Sequence, residues 1–148
     1  MSIFSWAGKN VRRVTDRVVA TPDSLTEFLV SQGAWVARQE DAGGDPVLRA
    51  NFEGVTFQVF LDDCIDGCDC RSVSFHAGFE VPERALQGTV DDWNRVNRFC
   101  KLRRHDRTAF WLGMDVYLGT GGLSLEDSTE VLEIWINGQK RFQNAIGW

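Results

Sequence analysis

The segment from residue 64 to residue 76 has the densest set of side chains that could do chemistry: Cys64, Cys68 and Cys70, followed by His76. Cysteine sulfur and imidazole nitrogen are ligands that zinc prefers, and cysteine is also open to reversible oxidation. The spacing C-x3-C-x-C differs, however, from the C-x2-C knuckle that directs two sulfurs at one tetrahedral ion. A metal or redox sensor using these four residues is therefore the alternative hypothesis, and a loop with cysteines as small apolar residues is the favoured interpretation.

The same cysteines allow a disulfide between Cys64 and Cys68 or between Cys64 and Cys70. Permanent disulfides belong to oxidising compartments, and a chain of this length does not need such a link to fold. We therefore expect reduced thiols.

The remaining reactive residues do not form a pattern typical of catalysis. His76 and His105 are the only histidines, and His105 lies in a basic stretch that is typical of a solvated hairpin tip. The carboxylate pairs Asp62-Asp63 and Asp91-Asp92 are adjacent in sequence, so their side chains diverge. The glycine-rich segment 119–122 lacks the lysine of a phosphate-binding loop. The sequence thus predicts a protein that is not an enzyme and needs no cofactor.

Composition narrows the classes of partner. The 148 residues include 21 acidic and 16 basic side chains, which gives a net charge of −5. Nucleic-acid binding needs a concentrated cationic surface, so it is disfavoured. No apolar run approaches the roughly 20 residues that span a bilayer, and the N-terminus lacks the pattern of a secretory signal. We therefore predict no integral membrane segment and a cytoplasmic location.

The first 21 residues differ from the rest, because Lys9, Arg12, Arg13 and Arg17 make them basic. Their apolar residues have helical spacing, which is compatible with a short amphipathic helix on the domain or on a membrane surface. Docking on the domain or fraying is the favoured interpretation. We thus predict a basic arm or short helix at 1–21 and a single domain at 22–148.

Periodicity and capping residues predict three helices and six strands in the order α-β-β-β-β-α-β-β-α. The three helices begin at Thr21-Pro22, near Thr89 and after the cap Ser124. In the second helix, one side is formed by Val90, Trp93, Asn97 and Cys100. The first four strands cover about 34–39, 47–53, 55–61 and 73–79, and the last two start near 101 and 109. Short strands joined by tight turns form an antiparallel sheet. The prediction is an α+β fold in which helices cover one face of that sheet.

This arrangement leaves the opposite face of the sheet uncovered. In the strand that starts near residue 109, Trp111, Asp115 and Tyr117 alternate with the apolar positions and lie on this face. A free sheet face either meets water, pairs with a second subunit or binds a peptide. We therefore predict these three residues as contacts for another protein or peptide segment, and we assign Trp93 and Trp135 to the core.

A family resemblance is carried by several stretches of the C-terminal half: Val90-Asp91-Asp92-Trp93-Asn94 with Arg98-Phe99, Leu112 to Leu118, Gly121 to Ser124 and Leu132-Glu133-Ile134-Trp135. With the segment Phe57 to Phe79, they resemble the YbjN family of bacterial proteins. The resemblance implies a fold like that of type III secretion chaperones, which commonly dimerise, and the label of a sensory transduction regulator. The resulting hypothesis is a homodimeric, chaperone-like regulator that catalyses no reaction and binds an extended segment or a helix of another protein through its free sheet face or through helix grooves.

Overall fold

The computed structural model describes residues 16–66, 69–82 and 88–147, which form an α+β domain with three helices. The elements in chain order are β1 (Arg17–Val18), α1 (Pro22–Ser31), β2 (Trp35–Glu40), β3 (Pro46–Phe52), β4 (Val55–Asp62), β5 (Ser72–Glu80), α2 (Thr89–Val96), β6 (Lys101–Arg104), β7 (Ala109–Tyr117), β8 (Leu123–Ser124) and α3 (Leu125–Ile146). Six strands form one antiparallel sheet in the order β2-β3-β4-β5-β7-β6. The predicted fold class is confirmed.

Two short strands were not predicted. β1 pairs with β8 in a separate two-stranded sheet, with Arg17 opposite Ser124 and Val18 opposite Leu123. Val18 and Ala20 are buried in the core, so the end of the predicted arm is extended and packs on the domain. The rest of the arm, residues 1–15, lies outside the described residues, and the division of the chain at residue 21 stays a prediction.

The helix ends follow local capping chemistry. The Thr21 hydroxyl accepts a hydrogen bond from the Ser24 amide (3.1 Å), and Pro22 occupies the first turn of α1. The Ser124 hydroxyl likewise accepts from the Asp127 amide (3.0 Å) at the start of α3. These side chains satisfy amides that have no partner within the helix. Both predicted starts are confirmed.

All three helices pack on the same face of the sheet. Trp135 of α3 is fully buried against the rings of Phe57 and Phe75, at centroid distances of 6.0 and 5.6 Å. Phe142, also on α3, contacts Phe79 of β5 and Trp93 of α2, each at 5.1 Å. The α1 residues Leu25, Phe28 and Leu29 belong to the same core. The predicted one-sided cover and the core positions of Trp93 and Trp135 are confirmed.

The helix α2 is shorter than its apolar pattern suggested. It ends at Val96, and Asn97 is its extended C-cap residue, so the predicted helical positions of Asn97 and Cys100 are wrong. Side chains of α2 hold the chain that follows instead: the Trp93 indole donates to the Cys100 carbonyl (2.9 Å), and Asn94 pairs with Leu102. These polar contacts outcompete continuation of the helix.

No helix within the described ranges is long and apolar enough to cross a membrane.

Candidate protein-binding face

The sheet face opposite the helices, which we name the open face, contains the three predicted contact residues. Trp111, Asp115 and Tyr117 alternate along β7 with the buried residues Phe110, Leu112 and Met114. Tyr117 is 70% exposed, Asp115 is exposed and Trp111 is half-buried. The structure thus brings all three to one surface, as the period of a strand requires. Their role in binding stays a prediction.

Register between distant strands gives Trp111 aromatic neighbours that the sequence pattern did not reveal. Its ring is edge-on to His76 of β5 at a centroid distance of 6.1 Å and to His105 at 6.2 Å. On the far side of His76, the Phe60 ring of β4 lies 4.9 Å away. The result is an aromatic row across three strands, a kind of surface that is common where proteins bind other proteins.

A glycine makes room for this row. Gly78 of β5 is directly opposite Trp111 of β7. A Cβ atom at residue 78 would lie 3.3 Å from the Trp111 ring, closer than ordinary van der Waals contact. The absence of a side chain therefore lets the indole lie flat across β5.

Charges divide the open face into two ends. Asp62 and Asp115 lie at the end that holds Tyr117, whereas Arg103 lies next to Trp111 in the register of β6 and β7. The pKa of His76, between the two ends, is lowered chiefly because burial disfavours its charged form, and Arg103 lowers it further; Asp115 and Asp62 act in the opposite direction. His76 is therefore predominantly neutral at pH 7 and contributes an aromatic, uncharged surface.

At the acidic end of the open face, two serines form hydrogen bonds with carboxylates. The hydroxyls of Ser72 and Ser74 are buried and donate to the carboxylates of Asp63 and Asp62, each at 2.7 Å. Asp62 and Asp63 thus each accept a hydrogen bond from a buried serine of β5.

The cysteine cluster differs from the expectation of reduced thiols. Cys64 and Cys70 form a disulfide, which the antiparallel bridge between Ile65 and Asp69 brings into reach. Backbone pairing across a tight turn thus decides which thiols meet. Cys68 lies outside the described residues.

The predicted alternative of a metal site finds no support. Among residues 16–66, 69–82 and 88–147, no three His, Cys, Asp or Glu side chains are placed to hold a metal ion. His76 packs in the aromatic row, and both described sulfurs of the cluster are bonded to each other. The four candidate ligands therefore do not converge where they are described.

The glycine-rich segment before α3 has a packing role. The Arg17 guanidinium donates to the carbonyls of Gly121 and Gly122 at 3.1 and 2.9 Å. A Cβ atom at residue 122 would lie 2.3 Å from the Val18 carbonyl oxygen. Gly122 therefore allows β1 to approach, which is the role of a plain loop and not of a phosphate site.

Comparison with protein-family models identifies the family of this chain. The family model for YbjN, described as "Putative bacterial sensory transduction regulator", matches residues 21–148. The chain belongs to the YbjN family. No curated protein matches it.

A solved structure agrees with the YbjN-family fold. The chain is similar to the crystal structure of YbjN from E. coli, described as a putative transcription regulator, with a TM-score of 0.56 and 17% identity. The similarity covers 87% of this chain and 91% of that one. At this identity it supports the fold and carries no residue roles.

Within the YbjN-family domain, sequence reasoning missed the contribution of three residues to the candidate site. Phe60 interrupts the apolar alternation of β4, and this interruption is the one signal that it faces away from the core. The sequence presents His76 as a candidate metal ligand and both histidines as candidate catalytic groups, and it does not indicate that either belongs to an aromatic row. Their contacts with Trp111 depend on strand pairing, which no local pattern reports.

Proposed function

We propose that this protein is a regulator without catalytic activity that binds an extended segment or a helix of another protein on its open face. The observation that supports the proposal is the one-sided helix cover, which leaves an aromatic row and the 70% exposed Tyr117 facing away from the core. Membership of a family described as sensory transduction regulators agrees with a role in association.

Trp111 and Tyr117 would supply the apolar anchors of such an interface. Tyrosine and tryptophan dominate the binding energy of many interfaces because they bury a large area at low entropic cost. Trp111 is already held by Gly78 and His76, so little of its freedom would be lost on binding. Asp115, four residues after Trp111 and two before Tyr117, would fix the orientation of a partner that carries a basic residue.

An extended partner would also find a suitable edge on the sheet. The β6 edge has four residues and carries Lys101 and Arg103, and such short, basic edges disfavour pairing with another strand. The β2 edge has six residues and begins at Trp35, which is 62% exposed. We therefore expect any pairing by a partner strand to occur beside β2, with every second side chain of that strand on the open face. Because β3, β4 and β5 lie between β2 and β7, this contact would be separate from the Trp111 and Tyr117 anchors.

Affinity capture from the native host tests the proposal. The tagged full chain should enrich a protein partner, and the variants Trp111→Ala, Tyr117→Ala and Asp115→Asn should enrich less of it. With the purified partner, the loss of an anchor should raise Kd about tenfold or more. The matched control is Val30→Ala, which removes an exposed apolar side chain (54% exposed) from α1 on the other side of the molecule.

Thermal unfolding of each variant should be close to that of the parent, because these side chains lie outside the core. Equal capture by the parent and the three open-face variants would refute the role of this face. Loss of capture by Val30→Ala alone would place binding on the helix side.

The Cys64–Cys70 disulfide favours a second candidate function, a redox-responsive regulator. Its reduction consumes two electrons and two protons from a dithiol and yields two thiols. In this alternative, capture of the partner differs between protein kept oxidised and protein treated with a dithiol, and Cys64→Ser removes the difference. Identical capture in both states, with the redox state verified by thiol labelling and mass spectrometry, excludes it.

We also propose that the protein acts in the cytoplasm, which agrees with its membership of a family described as bacterial sensory transduction regulators. Fractionation of host cells that express a tagged full chain tests this location. Recovery of the chain outside the cytoplasmic fraction would contradict it.

A further inference from the structure

A second surface lies on the helix side of the molecule, between α3 and the residues that follow α2. It is a groove of about 510 Å³, which we name the α3 groove. Val96 and Phe99 lie on one side and Ile134 on the other, at 73%, 53% and 36% exposure. Three exposed apolar side chains around one depression favour a bound apolar segment.

The walls of the α3 groove are held by polar contacts. The Arg141 guanidinium donates to the side-chain oxygen of Asn97 (2.8 Å), and the Lys101 ammonium donates to the Asn97 carbonyl (2.7 Å). Asn97 also donates to the carbonyl of Trp93 (2.9 Å). Because the walls are fixed, an occupant would bind without first ordering them.

Exposed acidic residues lie along α3 from its first turn to the α3 groove. Glu126, Asp127, Glu130 and Glu133 are all exposed, and the first basic residue of the helix is Lys140. Glu126, Glu130 and Glu133 have the spacing of residues on one side of a helix. Glu130 and Glu133 also line the groove. An occupant that approaches along this side needs positive charge before its apolar part.

The first 15 residues of this chain have that order of side chains. They contain Lys9, Arg12 and Arg13 and no acidic residue, and the apolar residues Ile3, Phe4 and Trp6 lie further from the domain. In the order in which the segment leaves the domain, the basic residues come first and the apolar residues follow. This order matches the acidic turns of α3 and then the groove.

The attachment point and the length of the segment also fit. Because β1 is antiparallel to β8, the N-terminal end of β1 at Arg17 is paired with Ser124, the residue directly before α3. Ile134 lies nine residues after Leu125, or about 14 Å along the helix. The ten residues between Trp6 and Asp16 reach up to about 33 Å. Trp6 therefore has more than enough chain to reach the groove.

We propose that residues 1–15 dock on α3 of the same molecule, with their basic residues beside Glu126 to Glu133 and Phe4 or Trp6 in the α3 groove. This inference is independent of the proposed function, which uses the opposite side of the domain.

Photo-crosslinking of the full chain tests this docking. With p-benzoylphenylalanine in place of Trp6, cross-links should form within one chain, to peptides that contain residues 96–100 or 130–141. Charge reversal by Glu130→Lys with Glu133→Lys should lower their yield about threefold to tenfold, since each exposed ion pair contributes modestly. Adding Arg12→Glu and Arg13→Glu to that variant should restore the yield.

The matched control is the reversal Glu27→Lys with Glu40→Lys, two exposed acidic residues of α1 and β2, which should leave the yield unchanged. Circular dichroism verifies that each variant is folded. Cross-links to β7, cross-links only between differently isotope-labelled chains, or a yield insensitive to charge reversal in α3 would overturn the proposal.

Discussion

At the scale of single residues, the segment after α2 shows how a few polar groups decide the path of the chain. Asn94 holds the backbone of Leu102 twice: its side-chain oxygen accepts from the Leu102 amide (2.7 Å), and its side-chain nitrogen donates to the Leu102 carbonyl (2.9 Å). These two hydrogen bonds satisfy the amide and the carbonyl of Leu102, as pairing with a neighbouring strand would. Trp93 and Asn94 are adjacent in α2, and their side chains hold the backbone of Cys100 and Leu102 at the start of β6.

Replacement of Asn94 should be costly. Asn94→Ala leaves an amide and a carbonyl of Leu102 without this partner, and we expect the free energy of unfolding to fall by about 1–3 kcal/mol. Urea denaturation followed by circular dichroism measures the loss. Asn144→Ala, in an exposed position of α3, is the matched control and should change stability by less than about 0.5 kcal/mol. Equal stability of the two variants would contradict the role of Asn94.

Cys100 gives the protein a pH dependence at the alkaline side. Burial raises the pKa of this thiol to about 11, and the Arg141 guanidinium opposes the shift. The unfolded chain loses the proton near the ordinary pKa of 9.0, whereas the folded protein keeps it, so the contribution is present below pH 9 and is lost as the pH rises to about 11. We expect stability to fall over this range.

The comparison of Cys100→Ala with its parent isolates this contribution, because both chains contain the other titrating groups. Both should carry Cys68→Ser, so that Cys100 is the one cysteine outside the disulfide. Denaturant unfolding at pH 8, 9, 10 and 11 should show a steeper loss for the parent. Parallel pH profiles would show that Cys100 does not contribute.

At the scale of elements, α3 is the helix that ties the layers together. Its residues Trp135 and Phe142 contact β4, β5 and α2 through aromatic rings. Its residue Gly138 lets the chain after α2 come close, since a Cβ atom there would lie 2.4 Å from the Cys100 sulfur. A helix with a central glycine loses intrinsic stability, and here the close packing explains that choice.

Gly138→Ala should therefore destabilise the protein, although alanine is the better helix former. We expect a loss of about 1–3 kcal/mol from overpacking, measured by urea denaturation. Removing the sulfur with Cys100→Ala in the same chain should recover part of this loss, which a double-mutant cycle quantifies. A stabilised Gly138→Ala variant, or strictly additive effects, would contradict the close contact.

We expect the Cys64–Cys70 disulfide to stabilise the hairpin formed by β4 and β5. The loop includes Asp63 and Asp66 with φ of 54°, a left-handed conformation that is costly outside glycine. Closing this short loop removes freedom from the unfolded chain, so reduction should lower stability by about 2 kcal/mol. Cys64→Ser and Cys70→Ser should each reproduce the loss, measured by thermal or urea unfolding.

Cys68→Ser is the control for this prediction, since the disulfide joins the other two cysteines. Its stability should equal that of the parent. An effect of Cys68→Ser as large as that of Cys64→Ser would indicate a different pairing of the three thiols.

At the scale of the whole molecule, the domain has two unequal sides. One side of the sheet is covered by three helices with an aromatic core, and the other presents Phe60, His76, Trp111 and Tyr117. Aromatic surface that faces away from the core favours association. The opposed charges at the two ends of the open face also allow two copies to meet with unlike charges in contact.

We expect the protein to form a homodimer, because the open face exposes aromatic side chains and carries unlike charges at its two ends. Light scattering coupled to size exclusion should give about twice the chain mass of 16.7 kDa. If the open face forms the interface, Tyr117→Ala should shift the mass toward the monomer at low concentration, whereas Val30→Ala should not. A monomer mass across the accessible concentrations would contradict the dimer.

Local signals were enough to predict where the three helices begin, the six strands of the main sheet and the face that each element buries. Thr21-Pro22 and Ser124 specify helix starts through their own hydrogen bonds, and the alternation along β7 places Trp111, Asp115 and Tyr117 on one side of a strand. The order of these signals was enough to predict an α+β sheet with helices on one face. Each of these signals involves residues close together in the sequence, so it can be recognised without knowledge of tertiary contacts.

Contacts between residues far apart in the chain became visible only in the folded domain. It placed β7 between β5 and β6, which joined His76 to Trp111, and it paired Cys64 with Cys70. It also ended α2 at Val96, where contacts from Trp93 and Asn94 to the following segment replaced a further helical turn. Strand order and side-chain pairing join residues far apart in the chain, so they depend on the packing of the entire core and leave no periodic trace in the sequence.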